Sequence, residues 1–230
     1  AMREAIEHEK PKVILNTAAH TNIDFCEDHQ QEAFEVNTLG ADNVARIAQE
    51  HGIYLVHLSS GCIQESKDAS EVHTEEDAPH PLCYYSWTKV WAENLLHDRM
   101  QHRGYGSHLP QPLRALILRP RQLLSATVSP RNALTKMLTY TKFINTPNSC
   151  TVIEDLLKAT YHLMQQQATG VYNVVNPGIT SPYEIALLLK EIINPAMVTE
   201  QIRKQALHVM TYARRIDAVL STEKLAKEGV

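Results

Sequence analysis

An alternation of short apolar runs with longer amphipathic segments constrains the fold of this chain more than any other feature. The runs at 13–19, 53–58 and 114–119 are rich in Val, Ile and Leu and have the length of buried parallel strands. Segments 31–51 and 84–103 follow the first two runs and place apolar residues at helical spacing. Strands and helices in this order predict right-handed crossovers and a parallel sheet.

Beyond Pro120 the alternation weakens and helical patterns dominate. The sequence therefore predicts an α/β fold: a Rossmann-like, doubly wound parallel sheet, lacking its first strands, with a smaller helix-rich lobe. We expect residues 1–125 to form the partial Rossmann domain and 126–230 to form mainly the second lobe. In that second part the predicted helices are 132–141, 151–166, 182–193 and a helix from 198 onward. A predicted strand at 171–175 could pair with the sheet of the first domain.

Composition excludes several classes of protein. With 230 residues, 43% of them hydrophobic and 21% charged, the chain is neither collagen-like nor disordered. A net charge of −4 without a basic block argues against a nucleic-acid partner. No apolar run approaches the ~18 residues of a membrane helix, so we expect no membrane association and a cytoplasmic location. The four cysteines form no CxxC pair and the twelve histidines form no HExxH motif, so no metal site is expected.

The glycines lack one familiar arrangement. None of the eight forms a glycine-rich turn between a strand and a helix, the device that cradles a pyrophosphate. Residues 2–9 also look like the tail of a crossover helix with no strand before it. We therefore expect the chain to begin within a Rossmann unit.

A tyrosine and a lysine at helical spacing are the first candidates for chemistry. Tyr85 and Lys89 stand at i and i+4 near the start of a predicted helix, which places them on one face. A nearby ammonium group would lower the tyrosine pKa from about 10, so that Tyr85 could exchange a proton with a carbonyl or alcohol oxygen. Ser60, at the end of a predicted strand, could hold the same oxygen. The plain alternative is a solvated helix lysine.

Several longer strings occur in a recognisable order over nearly the whole chain. NTAAHTNIDFCEDH, FEVNTLGADNVARIAQEHGIYLVHLSSGCI, YYSWTK and LRPR resemble the extended short-chain dehydrogenase/reductases that modify nucleotide sugars. SGCI, SPRNALTKM, NTPNSCTVIEDLL and YNVVNPG are most similar to the bifunctional UDP- or dTDP-4-keto-6-deoxyglucose 3,5-epimerase/4-reductases and to the dTDP-4-dehydrorhamnose reductases. The resemblance implies an oxidoreductase of activated L-rhamnose synthesis that uses NADP or NAD.

The resemblance also assigns roles to particular residues. It implies that Ser60, Tyr85 and Lys89 are the reductase triad and that Cys62 and Lys136 are the acid and base of epimerisation. Without it, Cys62 would be read as a small buried hydrophobe and Lys136 as a surface lysine. The residues implied to bind the cofactor are Ala18, Ala19, Thr21, Tyr85 and Lys89, and those implied to bind substrate are Arg121, Arg131, Asn132 and Asn148.

The implied substrate is a nucleotide-diphosphate 4-keto-6-deoxyhexose. A homodimer is possible, and the sequence leaves the oligomeric state open. Arg119 is a further candidate for contact with the diphosphate, and Asn37 is expected to hydrogen-bond backbone near the site. Asn176 and Pro177 are expected to shape the sugar pocket, although Pro177-Gly178 could form only a turn.

Three alternative functions remain. One is a non-catalytic binding or regulatory subunit with the same fold, against which the complete set of Ser60, Tyr85 and Lys89 weighs. Another is an inactive fragment, because the glycine-rich turn is absent. The third, a 4,6-dehydratase or C4 epimerase, is disfavoured because Cys62 and Lys136 match a different branch.

Overall fold

The elements alternate along the chain in the way that the apolar runs predict. This computed structural model describes residues 2–104 and 107–230. The strands are β1 (Val13–Asn16), β2 (Tyr54–Leu58), β3 (Val72–His73), β4 (Ala115–Arg119), β5 (Leu123–Leu124), β6 (Lys142–Ile144), β7 (Thr151–Val152), β8 (Gly170–Asn173), β9 (Glu200–Ile202) and β10 (Val219–Leu220). The α-helices are α1 (Met2–Glu9), α2 (Ile23–Asp28), α3 (Gln30–Phe34), α4 (Gly40–His51), α5 (Tyr84–Met100), α6 (Ala133–Met137), α7 (Ile153–Gln165), α8 (Pro182–Ile192), α9 (Lys204–Met210) and α10 (Glu223–Lys227).

A four-stranded parallel sheet, in the order β1-β2-β4-β8, forms the centre of the molecule. Leu55 and Ile117 lie on the face covered by α4 and α5, whereas Val56 and Leu118 lie on the face covered by α7. Because both faces of the central strands are covered, nearly all residues of β2 and β4 are buried, which explains why these runs are mostly apolar. In β1, by contrast, Leu15 is exposed. The predicted Rossmann-like α/β class is confirmed.

The long predicted helix 31–51 contains one irregular turn. A π-helical turn, Glu35–Leu39, separates α3 from α4, and Gly52 ends α4 in the left-handed conformation at φ 64°. Two polar side chains of the wide turn, Asn37 and Thr38, are buried against α5. Thr38 Oγ1 donates to the Thr88 carbonyl at 2.9 Å, so the turn is anchored to the helix that carries Tyr85 and Lys89.

The second lobe corrects two predictions. The continuous helix expected from residue 198 onward is wrong, because β9 pairs in parallel with β6 before α9 begins. Phe143 of β6 packs with Met197 and with Leu189 of α8 in a small core, and this tertiary contact outweighs the local helical pattern. The helix expected at 132–141 is shorter than predicted and covers only α6.

The second half of the chain contributes one strand to the central sheet, because β8 pairs with β4. The predicted domain boundary at residue 125 stays a prediction. Among residues 2–104 and 107–230, no helix is both long and apolar enough to cross a bilayer. Over the same ranges, His, Cys, Asp and Glu side chains nowhere gather in a group of three or more able to hold a metal ion.

Candidate active site

A tight turn at the carboxyl end of β2 presents the first site residues. Ser60 is extended and caps the short 3₁₀ turn Gly61–Ile63, its hydroxyl accepting from the Cys62 backbone N at 3.1 Å. A Cβ at Gly61 would lie 2.5 Å from Leu220 Cδ1 and 3.3 Å from Arg121 Cβ, so glycine lets these elements approach closely. The turn fixes the Ser60 hydroxyl and places Cys62 beside it.

The first two turns of α5 present Tyr85 and Lys89 to the same place. Both side chains are buried, and Lys89 Nζ lies 5.9 Å from the centroid of the Tyr85 ring. Ser60 is within hydrogen-bonding reach of the Tyr85 phenol. Three residues predicted from the sequence are therefore together in the structure, at the carboxyl edge of the sheet where α/β proteins bind ligands.

The Tyr85 phenol remains protonated in this environment. Burial raises its pKa well above the usual value, the neighbouring Cys62 adds to this effect, and the hydrogen bond with Ser60 opposes it only partly. The expectation that Lys89 would lower the Tyr85 pKa is therefore wrong for this structure. A neutral phenol is nonetheless the form that can donate a proton.

Lys89 has the opposite response to burial. Loss of hydration lowers its pKa to about 8, against the favourable charges of Glu93, Cys26 and Cys62. Its Nζ donates to the Leu58 carbonyl at 3.2 Å, which ties the ammonium group to the end of β2. Lys89 thus remains largely cationic at neutral pH but close to its titration midpoint.

A buried histidine behind Lys89 was not identified from the sequence. His57 of β2 is 1% exposed, and its Nδ1 accepts from Asn16 Nδ2 at 3.1 Å. Burial, followed by the charge of Lys89, lowers the His57 pKa to about 3. The imidazole is therefore neutral, and its remaining proton lies on Nε2. The available signal was a polar residue in the middle of an otherwise apolar strand.

Because His57 is buried and neutral, we expect the folded protein to lose stability in acid. Between about pH 3 and pH 6.5 the unfolded chain binds a proton at His57 that the folded chain does not. The free energy of unfolding should therefore fall as the pH decreases through this window, by on the order of a few kcal/mol. Urea unfolding at several pH values measures it.

The matched variant is His57→Gln, which keeps a polar side chain at the position but cannot titrate. Its free energy of unfolding should depend less steeply on pH between these limits than that of the wild type. His51→Gln, at an exposed helix end, is the control and should keep the wild-type slope. Equal slopes for wild type and His57→Gln would contradict the prediction.

Cys62 and Lys136, predicted to face one another across a cleft, line one cavity. Its volume is about 330 Å³, and Cys62 reaches it from the turn after β2 while Lys136 reaches it from α6. Lys142 and Arg215 also line it and were missed, because surface cations on unrelated elements carry no distinctive pattern. The charged residues around the cavity are Arg121, Lys136, Lys142, Arg215 and Asp217.

Arg121 and Asn148, both predicted to bind substrate, form the wall of this cavity. Arg121 Nη1 lies 3.5 Å from Cys62 Sγ, and its Nη2 donates to Asn148 Oδ1 at 2.7 Å. Asn148 Nδ2 donates in turn to Asp217 Oδ1 at 2.8 Å. This network holds the guanidinium group beside the thiol.

A second opening joins the predicted cofactor residues to the second lobe. It has a volume of about 480 Å³ and is lined by Ala19, Thr21, Arg131 and Lys136. Ala18 is exposed two residues after the end of β1. Lys136 borders both openings, so the two predicted binding regions meet at this side chain.

Two residues predicted to contact substrate are held by contacts within the protein. Asn132 caps α6, and its amide nitrogen donates to the carbonyls of Ser125 at 2.6 Å and Thr127 at 2.8 Å. It lines neither opening, and its assignment to substrate binding stays a prediction. The guanidinium of Arg119, a candidate for contact with the diphosphate, forms a buried ion pair with Glu93 at 2.6 Å.

The two residues expected to shape the sugar pocket lie elsewhere. Asn176 Oδ1 accepts from the Val152 backbone N at 2.7 Å, and its Nδ2 donates to Asp155 Oδ2 at 2.8 Å. With Pro177 it lines a different cavity, of about 280 Å³, between α7 and α10. Asn37, by contrast, hydrogen-bonds backbone near the site as expected, accepting from His20 N at 2.7 Å.

Comparison with known families agrees with this geometry. The family described as RmlD substrate binding domain matches residues 1–230, the whole chain. The chain belongs to the RmlD substrate-binding domain family. The resemblance drawn from the sequence strings is therefore confirmed.

Two curated relatives from Arabidopsis thaliana show how this RmlD-family chain compares with longer proteins. It is 30% identical over 233 residues to a bifunctional dTDP-4-dehydrorhamnose 3,5-epimerase/dTDP-4-dehydrorhamnose reductase, covering 97% of the chain and 73% of the relative. It is 30% identical over 238 residues to a trifunctional UDP-glucose 4,6-dehydratase/UDP-4-keto-6-deoxy-D-glucose 3,5-epimerase/UDP-4-keto-L-rhamnose-reductase, covering 99% of the chain and 34% of that relative. The chain thus spans about a third of the trifunctional protein.

Solved structures share the fold. The L780 UDP-rhamnose synthase of Acanthamoeba polyphaga mimivirus superposes with a TM-score of 0.85 at 26% identity, covering 98% of this chain and 79% of that protein. A dTDP-4-dehydrorhamnose reductase from Bacillus anthracis, solved in complex with NADP, gives a TM-score of 0.83 at 21% identity, covering 99% of this chain and 78% of that protein. The RmlD-family chain therefore has the α/β fold of these reductases.

Proposed function

We propose that this chain carries the active site of a nucleotide-diphosphate 4-keto-6-deoxyhexose reductase of activated L-rhamnose synthesis. The observation that carries the proposal is the buried cluster of Ser60, protonated Tyr85 and Lys89 beside a cation-lined cavity. During reduction the Tyr85 phenol donates its proton to the C4 oxygen, and the Ser60 hydroxyl orients that oxygen. Membership of a family whose relatives are named as rhamnose-pathway reductases supports the same assignment.

The residues present fit the nicotinamide part of an NADP or NAD molecule. When bound, this cofactor supplies the hydride. Lys89, cationic and fixed at the end of β2, would hold the ribose next to the nicotinamide. Small side chains at Ala18 and Ala19 leave space at the carboxyl end of β1, and Thr21 lies at the adjoining opening.

The proposal includes 3,5-epimerisation by Cys62 and Lys136. Inversion at a carbon beside a ketone requires a base on one face and an acid on the other. The two residues reach the same cavity from opposite lobes, which supports this division of roles. Arg121 contacts the thiol, and Lys136 is exposed at the edge of the cavity.

Transfer of a labelled hydride tests the reductase assignment. The protein is incubated with a nucleotide-4-keto-6-deoxyhexose and NADPH deuterated at C4 of the nicotinamide, at millimolar concentration so that weak binding does not limit the reaction. We expect one deuterium at C4 of the sugar product, detected by mass spectrometry and NMR. Sugar binding without transfer would instead favour the non-catalytic binding subunit.

A second experiment concerns the cofactor alone. The 230 residues contain no glycine-rich turn between a strand and a helix, so they supply contacts mainly on the nicotinamide side. We expect them to bind NADPH no more tightly than the millimolar range in titration calorimetry. Micromolar binding would contradict this, and titration with the nucleotide sugar serves as the control for a folded second lobe.

A further inference from the structure

The guanidinium group of Arg121 lies beside the Cys62 thiol without a carboxylate partner. Its Nη1 is 3.5 Å from Cys62 Sγ, in the wall of the cation-lined cavity. Within the part of the chain that the structure describes, Arg121 forms no ion pair with an Asp or Glu side chain. Arg119, by contrast, is paired with Glu93. The charge of Arg121 therefore remains available to the thiol and to the cavity.

The position of this guanidinium group depends largely on one nitrogen. Nη2 donates to Asn148 Oδ1 at 2.7 Å and also to the Ile216 carbonyl. The buried Nε has no hydrogen-bond partner among the described residues. Since Ile216 contributes only its main chain, Asn148 supplies the side-chain contact that fixes the Nη2 end of Arg121.

The amide group of Asn148 is fully occupied by the protein. Its Nδ2 donates to Asp217 Oδ1 at 2.8 Å and to the Thr146 carbonyl at 3.4 Å, and its Oδ1 also accepts from Ala218 N at 3.1 Å. A carboxylate only accepts hydrogen bonds, whereas guanidinium and backbone N–H groups only donate, so the amide orientation is fixed from both sides. Two donors and two lone pairs are all used, and Asn148 is 2% exposed. It has no hydrogen bond left to offer a sugar.

The carboxylate beyond Asn148 is neutralised by a different cation. Asp217 Oδ2 lies 2.6 Å from Lys204 Nζ, which also lies 2.5 Å from Glu65 Oε1. Glu65 Oε2 accepts from the Asp217 backbone N at 2.9 Å, three residues after Cys62 in the chain. The contacts thus close a ring that begins and ends at the turn carrying the thiol. Within this ring the neutral Asn148 side chain separates the Arg121 charge from the Asp217 charge.

We propose that Asn148 is a positioning residue, a neutral spacer that holds Arg121 beside Cys62 and keeps its charge unpaired. This gives Asn148 a role within the protein in place of a contact with substrate. Its importance for catalysis rests on the proposed epimerisation, in which a proton leaves the Cys62 thiol and negative charge develops on the sulfur. A guanidinium group fixed in contact with the sulfur stabilises that charge.

Paired alkylation with iodoacetate and iodoacetamide measures the cation beside the thiol without sugar or cofactor. Both reagents attack the thiolate, so the ratio of their rate constants is independent of the amount of thiolate present. A neighbouring guanidinium group attracts only the anionic iodoacetate. Mass spectrometry of the peptide that contains Cys62 distinguishes it from the three buried cysteines.

The test variant is Asn148→Asp/Asp217→Asn, which exchanges the amide and the carboxylate and leaves the total charge unchanged. The carboxylate at position 148 still accepts from Arg121 but now neutralises it. We expect the iodoacetate-to-iodoacetamide ratio at Cys62 to fall roughly fivefold, the size of a unit-charge attraction at about 4 Å in water. Lys204 keeps Glu65 as its partner, so the exchange leaves no buried cation alone.

A second variant removes the spacer instead of changing its charge. Asn148→Leu has a similar volume but cannot hold Nη2, so the ratio should also fall, and this variant decides alone if the exchange variant shows no cooperative thermal transition. Asn176 is the matched control, because its amide bridges Val152 N at 2.7 Å and Asp155 Oδ2 at 2.8 Å beside a different cavity. Asn176→Leu should keep the wild-type ratio.

The outcomes separate this inference from the proposed function. A wild-type ratio in either folded Asn148 variant would overturn the spacer role, because a residue that only contacts sugar does not affect alkylation in the absence of sugar. An equal fall in Asn176→Leu would also contradict it. A chain that shows the expected fall but exchanges no deuterium into the sugar would overturn the proposed epimerisation and leave the role of Asn148 standing.

Discussion

The Tyr85→Phe variant is expected to lose reduction of the C4 ketone by roughly 10²- to 10⁴-fold, the usual contribution of a positioned proton donor. Only the phenolic oxygen is removed, and the ring remains in its buried contacts with Cys26 and Cys83. Binding of the nucleotide sugar should therefore change little, so the loss appears in kcat. Single-turnover reduction and titration calorimetry measure the two quantities separately.

The adjacent tyrosine gives a matched control. Tyr84 packs its ring against Trp91 at 5.7 Å between centroids, and its backbone N donates to Glu27. Tyr84→Phe removes the same atom one residue away and should keep wild-type kcat. If Tyr85→Phe also reduces substrate at the wild-type rate, Tyr85 is structural and the reductase proposal fails.

The second large effect is expected at Cys62 and Lys136. In deuterated water without reductant, the wild type should introduce deuterium at C3 and C5 of a nucleotide-4-keto-6-deoxyglucose. Cys62→Ala or Lys136→Ala should slow exchange at one or both carbons by roughly 10²- to 10⁴-fold, because each removes a group that transfers a proton. Both variants should still reduce substrate that is already epimerised. NMR of the recovered sugar locates the label.

Lys142→Ala is the control for the loss of a cation from the same cavity. It is expected to weaken sugar binding while exchange at saturating substrate stays near the wild-type rate. If Cys62→Ala and Lys136→Ala exchange deuterium as fast as the wild type, neither residue takes part in epimerisation and both have structural roles. The same conclusion holds if the wild type exchanges no deuterium, and reduction alone would then remain.

Much of the sheet could be predicted because its signal is local. The runs that contain β2 and β4 are mostly apolar because both faces of these central strands are covered. The register, the π-helical turn and β9 could not be predicted in the same way. Each depends on pairing or packing with residues far away in the chain, as β9 with β6 shows.

For the site, the sequence by itself determined which chemical groups are present and their local spacing. The i, i+4 relation of Tyr85 and Lys89 follows from helix geometry, and the position of Ser60 follows from the end of a strand. Tertiary structure alone decided their charge states, because desolvation depends on what packs around a group rather than on its neighbours in sequence. It kept Tyr85 protonated, placed the unpredicted His57 near Lys89, and paired Arg119 with the buried Glu93.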